Sequence, residues 1–286
     1  MKPAIEVIGY EKCAGCFACY NACSFDAIDM KISDEGFYIP FVNREKCTEC
    51  GLCQKHCPVI KVNEIRSKNI SSPESFAAWS KDDDTRISSS SGGVFTELAL
   101  NIIEKGGVVF GAAWNSDFLV EHICVELVEE LPLLKGSKYI QSNIGNSYKR
   151  VLEELKKGKS VLFSGTPCQV AALKTFTNSD HLITVDLICH GVPSIVAFKK
   201  YLEYRSQGKK INNINFRDKK TGWSEFSILL EYTDGSSYSR KFNYDDFCWG
   251  FNNNYYLNNL CYECPFSTLP RQGDITLGDF WGAPEK

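Results

Sequence analysis

Apolar runs and helical stripes alternate along the last two thirds of the chain. The runs at Phe76–Ser80, Val108–Trp114, His122–Val128, Ser160–Ser164 and Leu182–Cys189 have the length and β-branched content of strands, several of them buried on both faces. Between them, Val94, Leu98 and Ile102 recur at helical spacing until Gly106-Gly107 stops the pattern. Ile144, Tyr148, Val151, Leu152 and Leu155 mark an amphipathic helix that ends at Gly158, and two more helices are predicted over Gln169–Phe176 and Pro193–Arg205. Three strand–helix alternations with short turns predict a mostly parallel, helix-covered sheet. The period then switches to two, and Ser227–Phe242 reads as a hairpin about Asp234-Gly235. The start of the chain lacks long periodic stretches. It offers short strands at Ile5–Ile8 and Phe37–Phe41 and a short helix or turn at Phe25–Met30. Asn63–Pro73 is polar and linker-like. The pattern therefore divides the chain into a small α+β unit, residues 1–65, and an α/β unit, residues 74–286, with a mostly parallel sheet and an added hairpin.

The small unit is organised around cysteines. Cys13, Cys16, Cys19 and Cys23, and again Cys47, Cys50, Cys53 and Cys57 followed by Pro58, repeat the spacing C-x2-C-x2-C-x3-C. This is the spacing of bacterial ferredoxins with two 4Fe–4S clusters. Three thiolates two residues apart wrap one cubane, and the fourth points to the other cluster. Cys13, Cys16, Cys19 and Cys57 are thus assigned to one cluster, and Cys47, Cys50, Cys53 and Cys23 to the second. Ser24 stands where the first half would carry a proline. Zinc sites use four ligands rather than eight in a doubled register, and disulfides require an oxidising compartment.

Composition narrows the field. Of 286 residues, 43% are hydrophobic and 23% charged, as in a globular protein. A net charge of −3 gives no case for nucleic acid. The N-terminus has no basic region followed by an apolar run, and no stretch approaches about 18 consecutive apolar residues. Fourteen cysteines are compatible with a reducing compartment when most of them hold metal, so a cytoplasmic location is expected.

Six cysteines lie outside the repeat. Cys261 and Cys264 form a C-x2-C followed by Pro265. Cys168 sits at a strand-to-helix turn and Cys189 at the end of the next strand. In a parallel sheet those two strand ends share one rim, where ligands bind. Cys168, Cys189, Cys261 and Cys264 can therefore form a third 4Fe–4S site, a tetrahedral zinc site or a redox-active thiol pair, and spacing does not choose among them. Cys124 and Cys248 read as packing residues. Ser91-Gly92-Gly93 opens a helix and can either cap it or receive a phosphate at its N-terminus. Lys135, Ser137, Lys138 and Tyr139 add a basic loop with an aromatic ring, a combination that fits a dinucleotide such as FAD.

With these residues in place, the chain resembles the family of coenzyme F420 hydrogenase and dehydrogenase beta subunits. The matching motifs are Ser91-Gly92-Gly93, Gly136-Ser137-Lys138-Tyr139, Gly165-Thr166-Pro167-Cys168-Gln169, Cys189-His190-Gly191-Val192-Pro193, Phe216-Arg217-Asp218-Lys219 with Gly222-Trp223, Cys261-x-x-Cys264, and Asp274-Ile275 with Gly278-Asp279. The resemblance implies a ferredoxin-like domain followed by a flavin domain. FAD would lie near Ser91, Gly92, Gly93, Lys135, Ser137, Lys138, Tyr139 and Thr166, with a 4Fe–4S cluster on Cys168, Cys189, Cys261 and Cys264. It also implies an oxidoreductase that passes electrons between FAD and the clusters, with a redox partner protein or a small-molecule donor or acceptor. The alternatives are an electron-carrier or adaptor subunit without its own substrate site, and a zinc-stabilised scaffold. Family members continue beyond the Gly-Asp-Phe-Trp segment, whereas this sequence stops at Lys286, so a C-terminally truncated flavin domain is expected.

Overall fold

The computed structural model describes residues 1–68, 72–220 and 222–281. The first segment carries α1 (Ala4–Ile8), α2 (Ala18–Ala22), the antiparallel pair β1 (Ile28–Ile32) and β2 (Tyr38–Val42), α3 (Leu52–Lys55) and α4 (Val62–Lys68). The strand expected at Ile5–Ile8 is helix α1. It follows Pro3, and it turns Ala4 and Ile5 inward. A helix also occupies part of the expected linker, where Glu64 pairs with Lys61 and Lys68 across successive turns. The rest of that linker includes residues 69–71, which lie outside the described residues, as does Gly282.

The remainder carries α5 (Asp83–Ser88), α6 (Val94–Glu104), β3 (Val108–Trp114), β4 (Val120–Val125), β5 (Ser142–Asn143), α7 (Ser147–Lys156), β6 (Val161–Gly165), α8 (Pro167–Lys174), β7 (Leu182–Leu187) and α9 (Ile195–Ser206). It continues with β8 (Ile211–Asp218), β9 (Ser227–Tyr232), β10 (Ser237–Lys241), α10 (Asp246–Asn252), α11 (Asn259–Tyr262) and β11 (Ile275–Leu277). Phe76–Ser80, expected as a strand, is irregular chain, exposed at residues 76–79; the buried Ser80 donates its N–H to the Gly92 carbonyl rather than joining a ladder.

Six strands form the main sheet in the order β11-β7-β6-β3-β4-β5. The β11–β7, β7–β6, β6–β3 and β4–β5 pairs are parallel, and β3–β4 is antiparallel. The sheet is therefore parallel-rich and mixed. Alternate residues of its central strands serve opposite layers, which is why they read as unbroken apolar runs. Val108, Phe110, Val161 and Phe163 face α7 and α8, while Val109 and Leu162 face α6. The expected hairpin is β9–β10, with Asp234-Gly235 at its turn, and β8 extends it to three antiparallel strands. That small sheet packs on α9 and α10 in a separate aromatic layer.

Phe17, Ala18 and Tyr38 of the cysteine-rich segment belong to the same core as Phe110, Tyr148 and Phe163. Burying each large apolar side chain contributes about 1.5–3 kcal/mol. The two parts of the chain thus share a core rather than a tether.

His122 on β4 is enclosed in this core. Its Nε2 lies 2.9 Å from the Ser164 carbonyl oxygen and its Nδ1 2.6 Å from Ser142 Oγ. A carbonyl only accepts, so Nε2 carries the proton and Nδ1 accepts from the serine. Burial lowers its pKa from 6.5 to about 4. The unfolded chain then takes up a proton that the native chain refuses. This contribution to stability is complete above pH 6.5 and is lost as pH falls toward 4. At pH 5 the loss amounts to about 2 kcal/mol. Denaturant unfolding at pH 7.5 and pH 5 is expected to show that drop, and His122→Gln should remove most of it. An unchanged pH dependence in the variant would assign the titration to other groups.

Candidate functional site

The first cysteine loop is pressed against the main body. Gly15 has a φ of +58°, and a Cβ there would stand 2.3 Å from Gln141 Nε2 and 2.6 Å from the Tyr38 carbonyl oxygen. Only glycine meets both demands. Gln141 accepts from Tyr38 N–H at 3.0 Å and donates to the Ala14 carbonyl at 3.3 Å, so it fixes the loop. Cys13, Cys16, Cys19 and Cys57 then line one cavity whose remaining wall is largely apolar, including Ile5, Phe17 and Pro58. These four are near neighbours: as thiolates, Cys13 and Cys19 would repel each other, and Cys57 would repel Cys13, Cys16 and Cys19.

Cysteines in this cavity could act as thiolates only around a cationic core. Desolvation pushes the Cys13 thiol up to about 11 and holds Cys16 and Cys19 well above the ordinary range. Thiolates form there only with a compensating positive partner. The backbone is arranged for thiolates all the same. Gly15 N–H points at Cys13 Sγ at 3.4 Å, and the amides of Ala18, Tyr20 and Val59-Ile60 face Cys16, Cys19 and Cys57. Amides directed at sulfur, in a dry pocket, suit a cluster.

Cys23, Cys47 and Cys53 are half-buried. Ala27 N–H and Ala4 N–H each lie 3.3 Å from the sulfurs of Cys23 and Cys53. Cys50 is exposed, and Cys53 adjoins Cys19 of the inner set. Gly51, with a φ of +82°, opens α3 within the loop.

The later cysteines come together at the sheet rim. Gly165 of β6 stands opposite Asp186 of β7 in parallel register, so Cys168 and Cys189 each follow three residues beyond the same edge. The chain after Cys189 runs beside the one before Cys261: Pro193 bridges Leu257, and Asn258 N–H donates to the Val192 carbonyl at 2.9 Å. Gly191 permits this approach, since a Cβ there would stand 2.8 Å from Leu257 and 3.3 Å from Cys261. Cys189, Cys261 and Cys264 are all near enough to Cys168 to repel its thiolate. Burial pushes Cys189 up to about 12 and Cys261 to about 11, and raises Cys168 further. Opposing charge is at hand. Thr166 Oγ1 lies 3.2 Å from Cys168 Sγ, in the first turn of α8, and Arg271 lowers Cys189 and Cys264. The amides of Gly191, Val192 and Phe266 face Cys189, Cys261 and Cys264. Among the described residues, no three metal-ligating side chains converge on a point as they would around a single ion.

Three segments with basic residues meet beside the start of α6, a junction called the basic cleft below. Ser137 Oγ and Ser90 Oγ are 2.9 Å apart, and Lys135 Nζ reaches Ser88 Oγ at 3.2 Å. Two sequence-predicted segments, Ser88–Ser91 and Lys135–Ser137, are thus brought together. Lys219, just after the end of β8, ties in the third by donating to the Arg86 and Ser89 carbonyls. Arg217, two residues earlier, is buried against Phe226, pairs with Asp279 at 2.5 Å and bonds the Tyr139 hydroxyl, yet its Nε and Nη2 have no hydrogen-bond partner among the described residues. Arg217, Lys219 and Asp279 were visible in the sequence only as family motifs, because a basic pair on a strand end carries no ligand signature of its own.

The other predicted cofactor residues have partners within the chain. Lys138 is buried and donates to the Lys135 carbonyl at 2.9 Å and the Gly136 carbonyl at 3.2 Å, with burial lowering its pKa to about 8. Tyr139 packs among Phe216, Phe242 and Phe251. Gly93, with a φ of +82°, is the residue before α6. A Cβ on Gly92 would meet the Ala78 carbonyl oxygen at 2.8 Å, so the chain itself occupies that face. Thr166 stands with Cys168 rather than at the cleft. Of the two remaining cysteines, Cys248 is buried in α10, and Cys124 is half-buried on β4.

Comparison with known proteins follows the same division. Residues 12–60 match the family model of a 4Fe-4S dicluster domain, and residues 158–286 match that of the C terminus of the coenzyme F420 hydrogenase/dehydrogenase beta chain. A component of the F420H2 dehydrogenase of Methanosarcina mazei is 25% identical over 202 residues, which is 66% of this chain and 56% of that protein. An uncharacterized polyferredoxin-like protein of Methanocaldococcus jannaschii is 44% identical over 64 residues, 19% of this chain and 38% of that one. The chain thus spans about half the length of these curated relatives, or less. The fold is similar to a chain in the F420-reducing [NiFe] hydrogenase complex from Methanosarcina barkeri, with a TM-score of 0.52, 16% identity and 74% of each chain covered. No helix among the described residues is long and apolar enough to cross a membrane. The chain thus combines a segment that matches a 4Fe–4S dicluster domain with a later segment that matches the C terminus of the coenzyme F420 hydrogenase/dehydrogenase beta subunit.

Proposed function

We propose that this chain is a flavoprotein subunit with three 4Fe–4S clusters in series, passing electrons between FAD and an external redox partner. The observation that supports the reading is that Cys189, Cys261 and Cys264 all lie within electrostatic reach of Cys168 at the sheet rim, and Cys168 within reach of Cys16 of the inner ferredoxin set. Four desolvated thiols faced by backbone amides and Arg271 are suited to a cluster. Without metal the same arrangement would leave them protonated, with amide N–H groups and Arg271 directed at neutral sulfur. Cys13, Cys16, Cys19 and Cys57 hold the inner ferredoxin cluster, and Cys23, Cys47, Cys50 and Cys53 the outer one, whose exposed Cys50 suits contact with a partner protein.

The flavin is assigned to the basic cleft. Lys135, Lys219 and the serines at 88–91 offer charge and hydroxyls, the start of α6 adds its positive end, and the buried Arg217 has donor nitrogens without partners among the described residues. That donor set suits a pyrophosphate. When bound, a flavin divides a two-electron hydride transfer into single-electron steps that clusters can carry. The name of the Methanosarcina mazei relative makes reduced coenzyme F420 the first two-electron donor to test.

Anaerobic purification followed by metal, sulfide and flavin analysis tests the assignment. The reading expects about 12 irons per chain, from three cubanes, with stoichiometric FAD and no zinc. Eight irons with one zinc would remove the third cluster. Cys57→Ala is expected to abolish the spectrum of the cluster on Cys13, Cys16 and Cys19 and to spare the one on Cys47, Cys50 and Cys53; the reverse result would exchange the fourth ligands. Arg217→Leu, which replaces a guanidinium by an apolar group in a buried site, should lower the flavin-to-iron ratio at least tenfold, about 1.4 kcal/mol in affinity. A parental ratio would move the dinucleotide elsewhere.

A further inference from the structure

We infer that Tyr148 is a positioning residue that fixes the inner ferredoxin set against the later cysteine set, so that electrons cross between the two parts of the chain at the Cys16–Cys168 junction. The inference rests on the third cluster proposed above.

Tyr148 lies on α7 and is fully buried. Its hydroxyl stands 2.9 Å from the Cys16 carbonyl oxygen and 3.0 Å from that of Gln169. A phenol carries one proton, so the two carbonyls share a single donor. One belongs to a ligand of the inner set and the other to the residue after Cys168. The hydroxyl is therefore a pin between two peptide units that each adjoin a proposed cluster ligand.

The far end of α8 is held in the same way. His56 Nδ1 lies 3.1 Å from the Thr175 carbonyl oxygen, and its ring stacks on Phe176 with centroids 4.1 Å apart and planes 10° from parallel. His56 immediately precedes Cys57. Helix α8, which begins beside Cys168, is thus gripped at both ends by neighbours of Cys16 and Cys57, two members of the inner set. The outer set adjoins the inner one through Cys53 and Cys19. The inner set is the middle station of the three. One electron leaves the cluster on one side of the junction and enters the cluster on the other, and no bond or proton moves. The rate then depends on separation, which the Tyr148 pin sets.

Tyr148→Phe keeps the ring in its contacts with Phe163 and Phe176 but removes the shared donor. Tyr201→Phe, which removes a buried hydroxyl bound to Asp245 far along the chain, serves as a control for general loss of stability. The holoprotein, partly reduced with dithionite, is examined by electron paramagnetic resonance for spin coupling between clusters, and by rapid freeze-quench for the rate at which electrons equilibrate. For Tyr148→Phe we expect parental iron content, weakened coupling between inner and later clusters, and equilibration slowed about tenfold or more, about 1.4 kcal/mol in barrier. Tyr201→Phe should retain both. If Tyr148→Phe fails to accumulate, His56→Ala releases the other end of α8 and is expected to act in the same direction. Parental coupling and rate in Tyr148→Phe, with three clusters present, would overturn the inference alone. A parent protein without iron on the later cysteines would overturn the third cluster and this inference together.

Discussion

Holding several cysteines as thiolates in a desolvated interior is unfavourable unless something cationic joins them. Each thiolate would repel its neighbours and lose its water, and burial accordingly raises every cysteine of the inner and later sets. The chain nevertheless points amide N–H groups at these sulfurs, and it places Arg271 and the N-terminal turn of α8 beside the later set. Such features stabilise negative sulfur. They make sense together when a metal centre supplies the remaining positive charge.

The same constraint shapes the packing. Clusters that exchange electrons must be close, and closeness demands a junction that does not slide. Phe17 and Tyr38 enter the main core, Gln141 clamps the Cys13–Cys16 loop, and Asn21 Nδ2 donates to the Gly145 carbonyl at 2.9 Å. Ser194, which caps α9, also donates to the Glu35 carbonyl. The cysteine-rich segment is therefore anchored along several elements. The face that carries Cys50 is left exposed.

Much of this was legible in the sequence because its signals are local. The doubled cysteine spacing and Asp234-Gly235 depend on a few adjacent residues, and β3 is predicted from end to end because both its faces are buried. Errors arose where context decided. Ile5–Ile8 is too short for periodicity to separate helix from strand, and Phe76–Ser80 has strand-like residues but no partner strand. The β8 strand was missed because Asn212, Asn213 and Asn215 break its alternation and a register shift interrupts its pairing. At the site, rim geometry brought Cys168 and Cys189 into view. The roles of Lys138 and Tyr139 did not follow from their motif, because the structure commits one to backbone carbonyls and the other to an aromatic core. Arg217 and Lys219 came within reach of the serine loop only through the β8 strand, whose alternation the asparagines conceal.

The central claim is that three iron–sulfur centres stand in a row, with the inner ferredoxin site between the other two. Crystals of the anaerobically purified protein, measured with X-rays on either side of the iron and zinc absorption edges, test this directly. The predicted result is three iron peaks, the middle one among Cys13, Cys16, Cys19 and Cys57 and the third among Cys168, Cys189, Cys261 and Cys264. Two iron peaks confined to the N-terminal segment, with a zinc peak or no peak among the later cysteines, would contradict it.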